Sequence, residues 1–219
     1  AAVGKWNKQI FDLNKNLLPG KWHLAQDKKG LEKLIKRNSP KIIFFLHWRW
    51  YVSQKILTKN LCICFHMTDL PYGRGGSPLQ NLILKKHEHT YLTCFKMTEE
   101  YDSGPYYLKR KLSLKGSAQQ IFIRSSKLSW RMIQSFIKSH PSEIEQKGKP
   151  VYFKRRKPSE SKIKKNFTVK ELYDFIRMLD ADGYPNAFIE FGSNRIYLKD
   201  AKFKNGNLIF NGFVKNYVK

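Results

Sequence analysis

The 219-residue sequence predicts an α/β fold with a mostly parallel sheet, followed by a small α+β carboxyl-terminal domain. The segments 42–46 and 61–65 are apolar at every position, which is typical of strands covered by helices on both faces. Helical patterns flank both segments, and a strand–helix–strand order favours parallel strands joined by right-handed crossovers. After residue 186, short segments alternate between apolar and polar residues, as strands with one solvated face do.

Amphipathic patterns predict the helices. In one of them, Leu31, Leu34 and Ile35 stand at the i, i+3 and i+4 spacing of a single buried face. Another begins at Thr168, because Thr168 and Glu171 have the spacing of a capping box. The predicted helices span residues 7–14, 28–37, 79–85, 117–138 and 168–179.

Further extended segments are predicted between these helices. Asn205-Gly206-Asn207 indicates a hairpin turn, because Asn and Gly tolerate the positive φ angles that a tight two-residue turn requires. The additional strands are expected at 22–25, 91–97, 105–114, 196–198 and 208–210, and around Phe188.

The composition excludes several classes of protein. Lys and Arg number 42 against 17 Asp and Glu, a net charge of +25, but 41% hydrophobic residues are enough for a core and exclude a disordered basic tail. No apolar run reaches the roughly 18 residues that a membrane span requires. Three cysteines and no signal-peptide pattern favour a reducing, cytoplasmic location. The chain opens in a strand-like Ala1-Ala2-Val3, and we expect residues upstream of it.

The positive charge is densest after residue 146. Between Lys147 and Lys170 there are ten basic residues and one acidic residue, Glu160, interspersed with two prolines. We interpret residues 147–166 as a basic linker that joins a catalytic domain over 1–146 to a small domain over 167–219. An excess of this size favours a polyanionic partner such as RNA, a nucleotide diphosphate or an anionic membrane surface. The alternative is that it is a general compositional feature of lysine-rich chains.

Three side chains alternate along the second apolar strand. Cys62, Cys64 and His66 therefore face one side of the sheet. Residues two apart on a strand are separated by about 6.6 Å, too far for all three to share a tetrahedral metal ion, so we expect no metal. His66 ends the strand, where ligands bind in open α/β sheets. A hydrogen-bonded core histidine is the alternative.

Two loops that follow His66 have the composition of a binding site. Residues 69–78 contain three glycines and Arg74, which would let backbone amides approach an anion. Asp102 follows the next predicted strand, and a carboxylate near His66 can orient the imidazole or accept a proton. The alternatives are an ordinary surface loop and a solvated acidic turn.

Aromatic residues follow the first apolar strand. His47 and Trp48 stand at its exit, where rings can stack on a flat heterocycle. The alternative for Trp48 is packing in the hydrophobic core, which agrees with the sequence at least as well.

The sequence from Cys64 to Gln80, followed by Asp102-Ser103-Gly104, resembles the folate-dependent formyltransferase family. That family's pattern is Asn-x-His, Ser-Leu-Leu-Pro, Arg-Gly-x-x-Pro-x-Gln and then Asp-x-Gly. The run from Tyr173 to Phe188 is also similar to the family. The resemblance implies a Rossmann-like formyltransferase domain followed by a small OB-like domain. It also implies a formyl donor, 10-formyltetrahydrofolate.

The resemblance further implies roles for individual residues. His66 and Asp102 match the catalytic pair, and Cys64 stands where the family has a catalytic asparagine. A thiol is a weak donor, and losing one oxyanion donor can raise a barrier by roughly 2–4 kcal/mol. The folate is expected to contact His47, Trp48, Leu70, Pro71 and Asp102. The amine substrate is expected to contact Arg74, Gly75, Gly76, Ser77, Pro78 and Gln80.

Three functions stay open. The second domain is small for a tRNA-binding domain, so the first hypothesis is formylation of an amino-sugar nucleotide. The basic linker favours the second hypothesis, formylation of initiator methionyl-tRNA. Cys64 and the charge of +25 indicate the third, a catalytically weakened fold that binds RNA or a partner. None of them requires a membrane.

Overall fold

The computed structural model describes residues 1–164 and 166–216. Its helices are α1 (Lys5–Asn14), α2 (Lys28–Asn38), α3 (Gln54–Lys59), α4 (Pro78–Leu84), α5 (Ala118–Ser139) and α6 (Val169–Arg177). Its strands are β1 (Ile42–Leu46), β2 (Leu61–His66), β3 (Tyr72–Gly75), β4 (His89–Lys96), β5 (Tyr106–Ser113), β6 (Val151–Phe153), β7 (Ala187–Phe191), β8 (Asn194–Lys204) and β9 (Asn207–Asn216). Among these elements, no helix is long and apolar enough to cross a membrane.

The central sheet is covered on both faces, as the two apolar strands predict. Ile63 and Phe65 of β2 belong to one large apolar cluster together with residues of α1 and α5. Cys62 belongs to a second cluster, which contains residues of α2 and has α3 packed against it. Alternate side chains of β2 therefore enter opposite layers, and the predicted α/β class is confirmed.

The sheet is mixed, whereas the sequence predicted a mostly parallel one. Its strand order is β1-β2-β4-β5, with β1 and β2 parallel, β4 antiparallel to β2 and β5 antiparallel to β4. Hydrophobic patterning shows which strands are buried but carries no information about strand direction. Because β4 runs backwards, its exit at Lys96 lies beside Ile63, and the following loop has to return to the end of β2.

Part of the predicted linker is a strand. β6 pairs in parallel with β3, which lies inside the glycine-rich loop, and Arg74 and Gly75 stand opposite Tyr152 and Phe153. The segment is therefore fixed to the first part of the chain by a backbone ladder. Lys165, one of its predicted basic residues, lies outside the described residues.

The last part of the chain is a three-stranded antiparallel sheet, β7-β8-β9, with α6 packed against β8. Asn205 and Gly206 both have positive φ, as the predicted hairpin turn requires. Residues of α4 and α6, including Leu82 and Ile176, share one apolar cluster. The division into 1–146, 147–166 and 167–219 stays a prediction, and apolar contacts cross it.

Two local expectations differ from the structure. Residues 22–25 form no named strand, although the amide of Ala2 donates to the carbonyl of Ala25 at 2.8 Å. Residues 71–78 contain β3, because the backbone of Gly75 and Gly76 packs directly on β6, where the Gly76 amide donates to the Phe153 carbonyl at 3.0 Å.

Candidate active site

A cleft of about 640 Å³ opens at the ends of β1 and β2. It is closed on its other sides by the start of α4, one face of α5, the loop before β5 and the chain around Arg155 and Tyr184. Cys64, His66 and Asp102 all line it, so the structure brings the three predicted catalytic residues together.

His66 and Asp102 face each other in this cleft. His66 Nδ1 lies 3.8 Å from Asp102 Oδ2, beyond direct hydrogen-bonding distance. The same Asp102 oxygen accepts a hydrogen bond of 2.8 Å from the amide of Gly75. The side chains are 10% and 16% exposed, so the pair is mostly shielded but can be reached from the cleft.

The other ring nitrogen of His66 fixes its tautomer. Nε2 lies 2.8 Å from the carbonyl oxygen of Gly73, and because a carbonyl only accepts, Nε2 carries the proton and donates. A neutral His66 therefore presents an unprotonated Nδ1 towards Asp102. Two hydrogen-bond acceptors, His66 Nδ1 and Asp102 Oδ2, then face the space between them. That space suits a group that carries N–H donors.

Three non-glycine residues among the described lining of the cleft have a positive φ. His47, Ser77 and Asp102 have φ angles of 54°, 50° and 54°. Such conformations are uncommon outside glycine and cluster at binding and catalytic sites, where surrounding contacts hold them. Residues 97–105, between β4 and β5, form the Asp102 loop. Gly104 shows how tightly this loop packs, because a Cβ there would meet the carbonyl oxygen of Lys96 at 1.9 Å.

Cys64 cannot act as a thiolate in this environment. Burial raises its pKa well above the ordinary value, and the nearby charge of Asp102 raises it further. The side chain packs against the apolar cluster below α2 and α3, as Trp48 does. Cys64 therefore remains a neutral thiol and supplies at most a weak hydrogen bond.

His47 and Trp48, which are expected to contact the folate, line the cleft. Burial lowers the pKa of His47 to about 4, with Arg49 adding to the effect, and His47 Nε2 is hydrogen-bonded to the hydroxyl of Tyr184 at 2.5 Å. Trp48 packs edge-on against Phe45 and Trp50, and its buried Nε1–H has no hydrogen-bond partner among the described residues. This side of the cleft is aromatic.

Five of the six predicted substrate-binding residues line the cleft. They are Gly75, Gly76, Ser77, Pro78 and Gln80. The Gln80 side chain also donates to the Met178 carbonyl at 3.1 Å and so ties α4 to the end of α6.

Arg74 is not among the residues that line the cleft, and its contact with the substrate stays a prediction. It is 7% exposed and turns away to Gln146, Glu100 and Tyr152. Its backbone pairs with β6, which directs the side chain to the opposite side from the cleft.

Leu70 and Pro71 are also not among the residues that line the cleft, and their contact with the folate stays a prediction. Leu70 is fully buried in the core, and Pro71 accepts a backbone hydrogen bond from the start of β6. The sequence motif located their loop but not the side of the loop that faces the cleft.

Several residues at the cleft were not predicted. Its described lining contains four basic residues, Arg49, Arg155, Arg156 and Lys157, against a single acidic residue, Asp102. The amide of Arg156 donates to the Ser77 hydroxyl at 3.0 Å, which places the basic segment beside the start of α4. The run of basic residues was visible in the sequence, but its position at the cleft was not.

Comparison with known proteins agrees with this geometry. The structure of methionyl-tRNA formyltransferase from Clostridium thermocellum matches 98% of this chain and 96% of its own length, with 37% identity and a TM-score of 0.94. The chain belongs to the methionyl-tRNA formyltransferase family. The family model for the methionyl-tRNA formyltransferase C-terminal domain matches residues 158–211.

The curated relatives in this family are longer than this chain. The methionyl-tRNA formyltransferase of Mycoplasma capricolum is 27% identical over 164 residues, which is 71% of this chain and 51% of the relative. The chain thus spans about half the length of the curated relatives that it matches first.

More distant structures share the fold. HypX from Aquifex aeolicus in complex with tetrahydrofolic acid has 14% identity and a TM-score of 0.73, over 94% of this chain and 39% of HypX. A 4-N formyltransferase from Francisella tularensis has 19% identity and a TM-score of 0.60, over 96% of this chain and 84% of its own. At these identities the likeness concerns the fold alone.

Proposed function

We propose that this chain transfers the formyl group of 10-formyltetrahydrofolate to the amino group of initiator methionyl-tRNA. The observation that carries the proposal is the His66–Asp102 pair, whose two acceptor atoms face one gap in a deep cleft. Family membership and the shared fold support formyl transfer as the reaction.

Attack requires a neutral amine. Its lone pair forms the new bond to the formyl carbon, the bond from that carbon to N10 of the folate breaks, and one proton passes from the amine to N10. Asp102 Oδ2 accepts that proton, because Gly75 already holds this oxygen in place. The amine's second hydrogen stays on its nitrogen and is donated in a hydrogen bond to His66 Nδ1.

His66 also acts on the tetrahedral intermediate. Asp102 can pass the proton that it has accepted to Nδ1, while Nε2–H remains on the Gly73 carbonyl, and Nδ1–H then donates towards the oxyanion. The same proton goes to N10 when the bond between the formyl carbon and N10 breaks. Cys64 adds little, since a neutral thiol donates weakly. We therefore expect a slower chemical step than an asparagine at this position would allow.

The aromatic side of the cleft is where we place the folate. Trp48, Trp50 and Tyr101 line it, and flat rings of this kind pack against a heterocycle. The HypX structure with tetrahydrofolic acid supports the choice at the level of the fold.

The basic side of the cleft favours a substrate rich in phosphate. Arg49, Arg155, Arg156 and Lys157 would meet the phosphates of a tRNA acceptor end. The prediction that favoured an amino-sugar nucleotide has weaker support, since a structure of a sugar N-formyltransferase from Shewanella is 13% identical to this chain and the methionyl-tRNA formyltransferase structure is 37% identical.

The test supplies 10-formyltetrahydrofolate and one amine at a time, and follows release of tetrahydrofolate and formation of the formylated product. We expect turnover with charged initiator tRNA. Turnover with a nucleotide-linked amino sugar alone would keep formyl transfer but replace the substrate. No turnover with either, together with salt-sensitive RNA binding, would leave the binding-module hypothesis.

A further inference from the structure

The Gln146 side chain connects two parts of the structure that the sequence keeps far apart. Its Oε1 accepts two hydrogen bonds from Arg74, from Nη2 at 2.9 Å and from Nε at 3.2 Å. Its Nε2 donates to the carbonyl of Asp102 at 2.9 Å and to the carbonyl of Gly104 at 2.7 Å. Together these four contacts use both lone pairs of the amide oxygen and both N–H donors of the amide nitrogen.

These contacts determine the orientation of the amide. A guanidinium only donates and a carbonyl only accepts, so turning the amide over would set donor against donor and acceptor against acceptor. Arg74 thus locks Nε2 towards the Asp102 loop. Arg74 itself is buried and held also by Tyr152 and Glu100.

Gln146 is also fixed through the backbone. Its neighbour Ile144 exchanges two hydrogen bonds of 2.9 Å with Tyr106, at the start of β5 and close to the end of the Asp102 loop. The amide is consequently placed against that loop by the chain as well as by Arg74.

The Asp102 loop needs such an anchor. Asp102 has a φ of 54°, and this left-handed conformation persists only where the surroundings hold it. Gly75 holds the carboxylate on the cleft side, while Gln146 holds the carbonyl of the same residue on the other side. Arg74 and Gly75 are adjacent, so one short strand secures both ends of Asp102.

We propose that Gln146 is a positioning residue for Asp102, and that Arg74 orients its amide. Gln146 does not line the cleft, so it acts on the reaction only through the Asp102 loop. This inference rests on the proposed function for its kinetic consequence, but its structural consequence, the placement of Asp102 against His66, can be measured without any substrate.

Two substitutions separate positioning from general support of the fold. Gln146→Glu keeps oxygens for Arg74 and gains a charge pair with it, but loses both N–H donors to the loop. Gln146→Leu loses both sets of contacts. The exposed Gln9 of α1 gives matched controls, Gln9→Glu and Gln9→Leu.

We expect both Gln146 variants to lower kcat by about 10- to 100-fold, because a displacement of about 1 Å at a catalytic group has effects of this size. KM for both substrates should change by less than about threefold, since Gln146 contacts neither. The Gln9 variants should match the unmodified protein.

A second readout uses the ¹⁵N signals of the His66 imidazole at neutral pH. Asp102→Asn supplies the reference change, and we expect both Gln146 variants to shift the Nδ1 signal in the same direction while the Gln9 variants leave it in place. Signals and kcat that are normal in Gln146→Glu would overturn the inference, because support of Arg74 would then suffice. If the unmodified protein formylates no amine, the proposed function fails, and the imidazole signals still decide the positioning role.

Discussion

Replacing Asp102 with asparagine tests the assignment of the proton acceptor with little disturbance of the fold. The carboxylate has one hydrogen bond that matters for its position, the 2.8 Å bond from the Gly75 amide. An asparagine oxygen can accept the same bond. We therefore expect the free energy of unfolding of Asp102→Asn to stay within about 1 kcal/mol of the unmodified value.

The expected kinetic loss follows from what the carboxamide cannot do. It has no basic oxygen to take the proton from the attacking amine, and general base catalysis of this kind contributes about 10²- to 10⁴-fold. That corresponds to about 3–5 kcal/mol of the barrier. His66 Nδ1, 3.8 Å away, could accept the proton instead, which sets the loss nearer the lower figure.

The assay is tetrahydrofolate release at saturating formyl donor and initiator methionyl-tRNA, with thermal unfolding recorded on the same preparations. Asp12→Asn is the matched control, because Asp12 is a surface carboxylate of α1 paired with Lys8. A kcat for Asp102→Asn within tenfold of the unmodified protein, with the fold intact, would refute the role of Asp102 as the proton acceptor.

Three further predictions concern other parts of the site. Cys64→Asn should raise kcat by about tenfold, because a carboxamide donor replaces a neutral thiol at the oxyanion; a large fall in kcat would show that Cys64 does not occupy the oxyanion position. The folded pKa of His47, about 4, lies below its ordinary 6.5, so unfolding is favoured as the pH falls from about 6.5 towards 4, by up to about 3 kcal/mol. Urea titrations across this range should show a flatter dependence for His47→Asn, which keeps a residue tolerant of positive φ, and equal slopes would contradict the prediction. Gly104→Ala should destabilise the fold by about 2–3 kcal/mol and lower kcat, because the new Cβ meets a backbone oxygen at 1.9 Å. Gly30→Ala in α2 is the control: its Cβ meets only the Asp27 side chain, so kcat should stay unchanged and, because alanine favours a helix over glycine, stability should not fall.

The elements that the sequence predicted well are those whose pattern reports burial. β1 and β2 are apolar on both faces because two separate clusters receive their alternate side chains. The direction of β4 was not predictable, since an apolar strand reads alike in either direction. β3 and β6 were missed because they have four and three residues, too few to show a period.

The residues of the candidate site also divide into those that the sequence could predict and those that it could not. His66 and Asp102 belong to a short motif with fixed order, and the structure places them together. Arg74 belongs to the same motif, but a motif does not tell which way a side chain turns from its strand. Gln146 had no local signal at all, because its contacts lie 42 to 72 residues away along the chain.

The pairing of β6 with β3 has a consequence for selectivity among anions. Ordering the backbone of a flexible chain costs roughly 1–2 kcal/mol per residue, and a mobile basic tail can rearrange to suit almost any negative charge. Here Phe153 is held in a ladder and the amide of Arg156 is bound to Ser77, so Arg155, Arg156 and Lys157 extend from an already ordered backbone. Under the proposed function, such a backbone restricts the positions that these cations can reach, and we expect a phosphate ligand of equal charge but different geometry to bind less well.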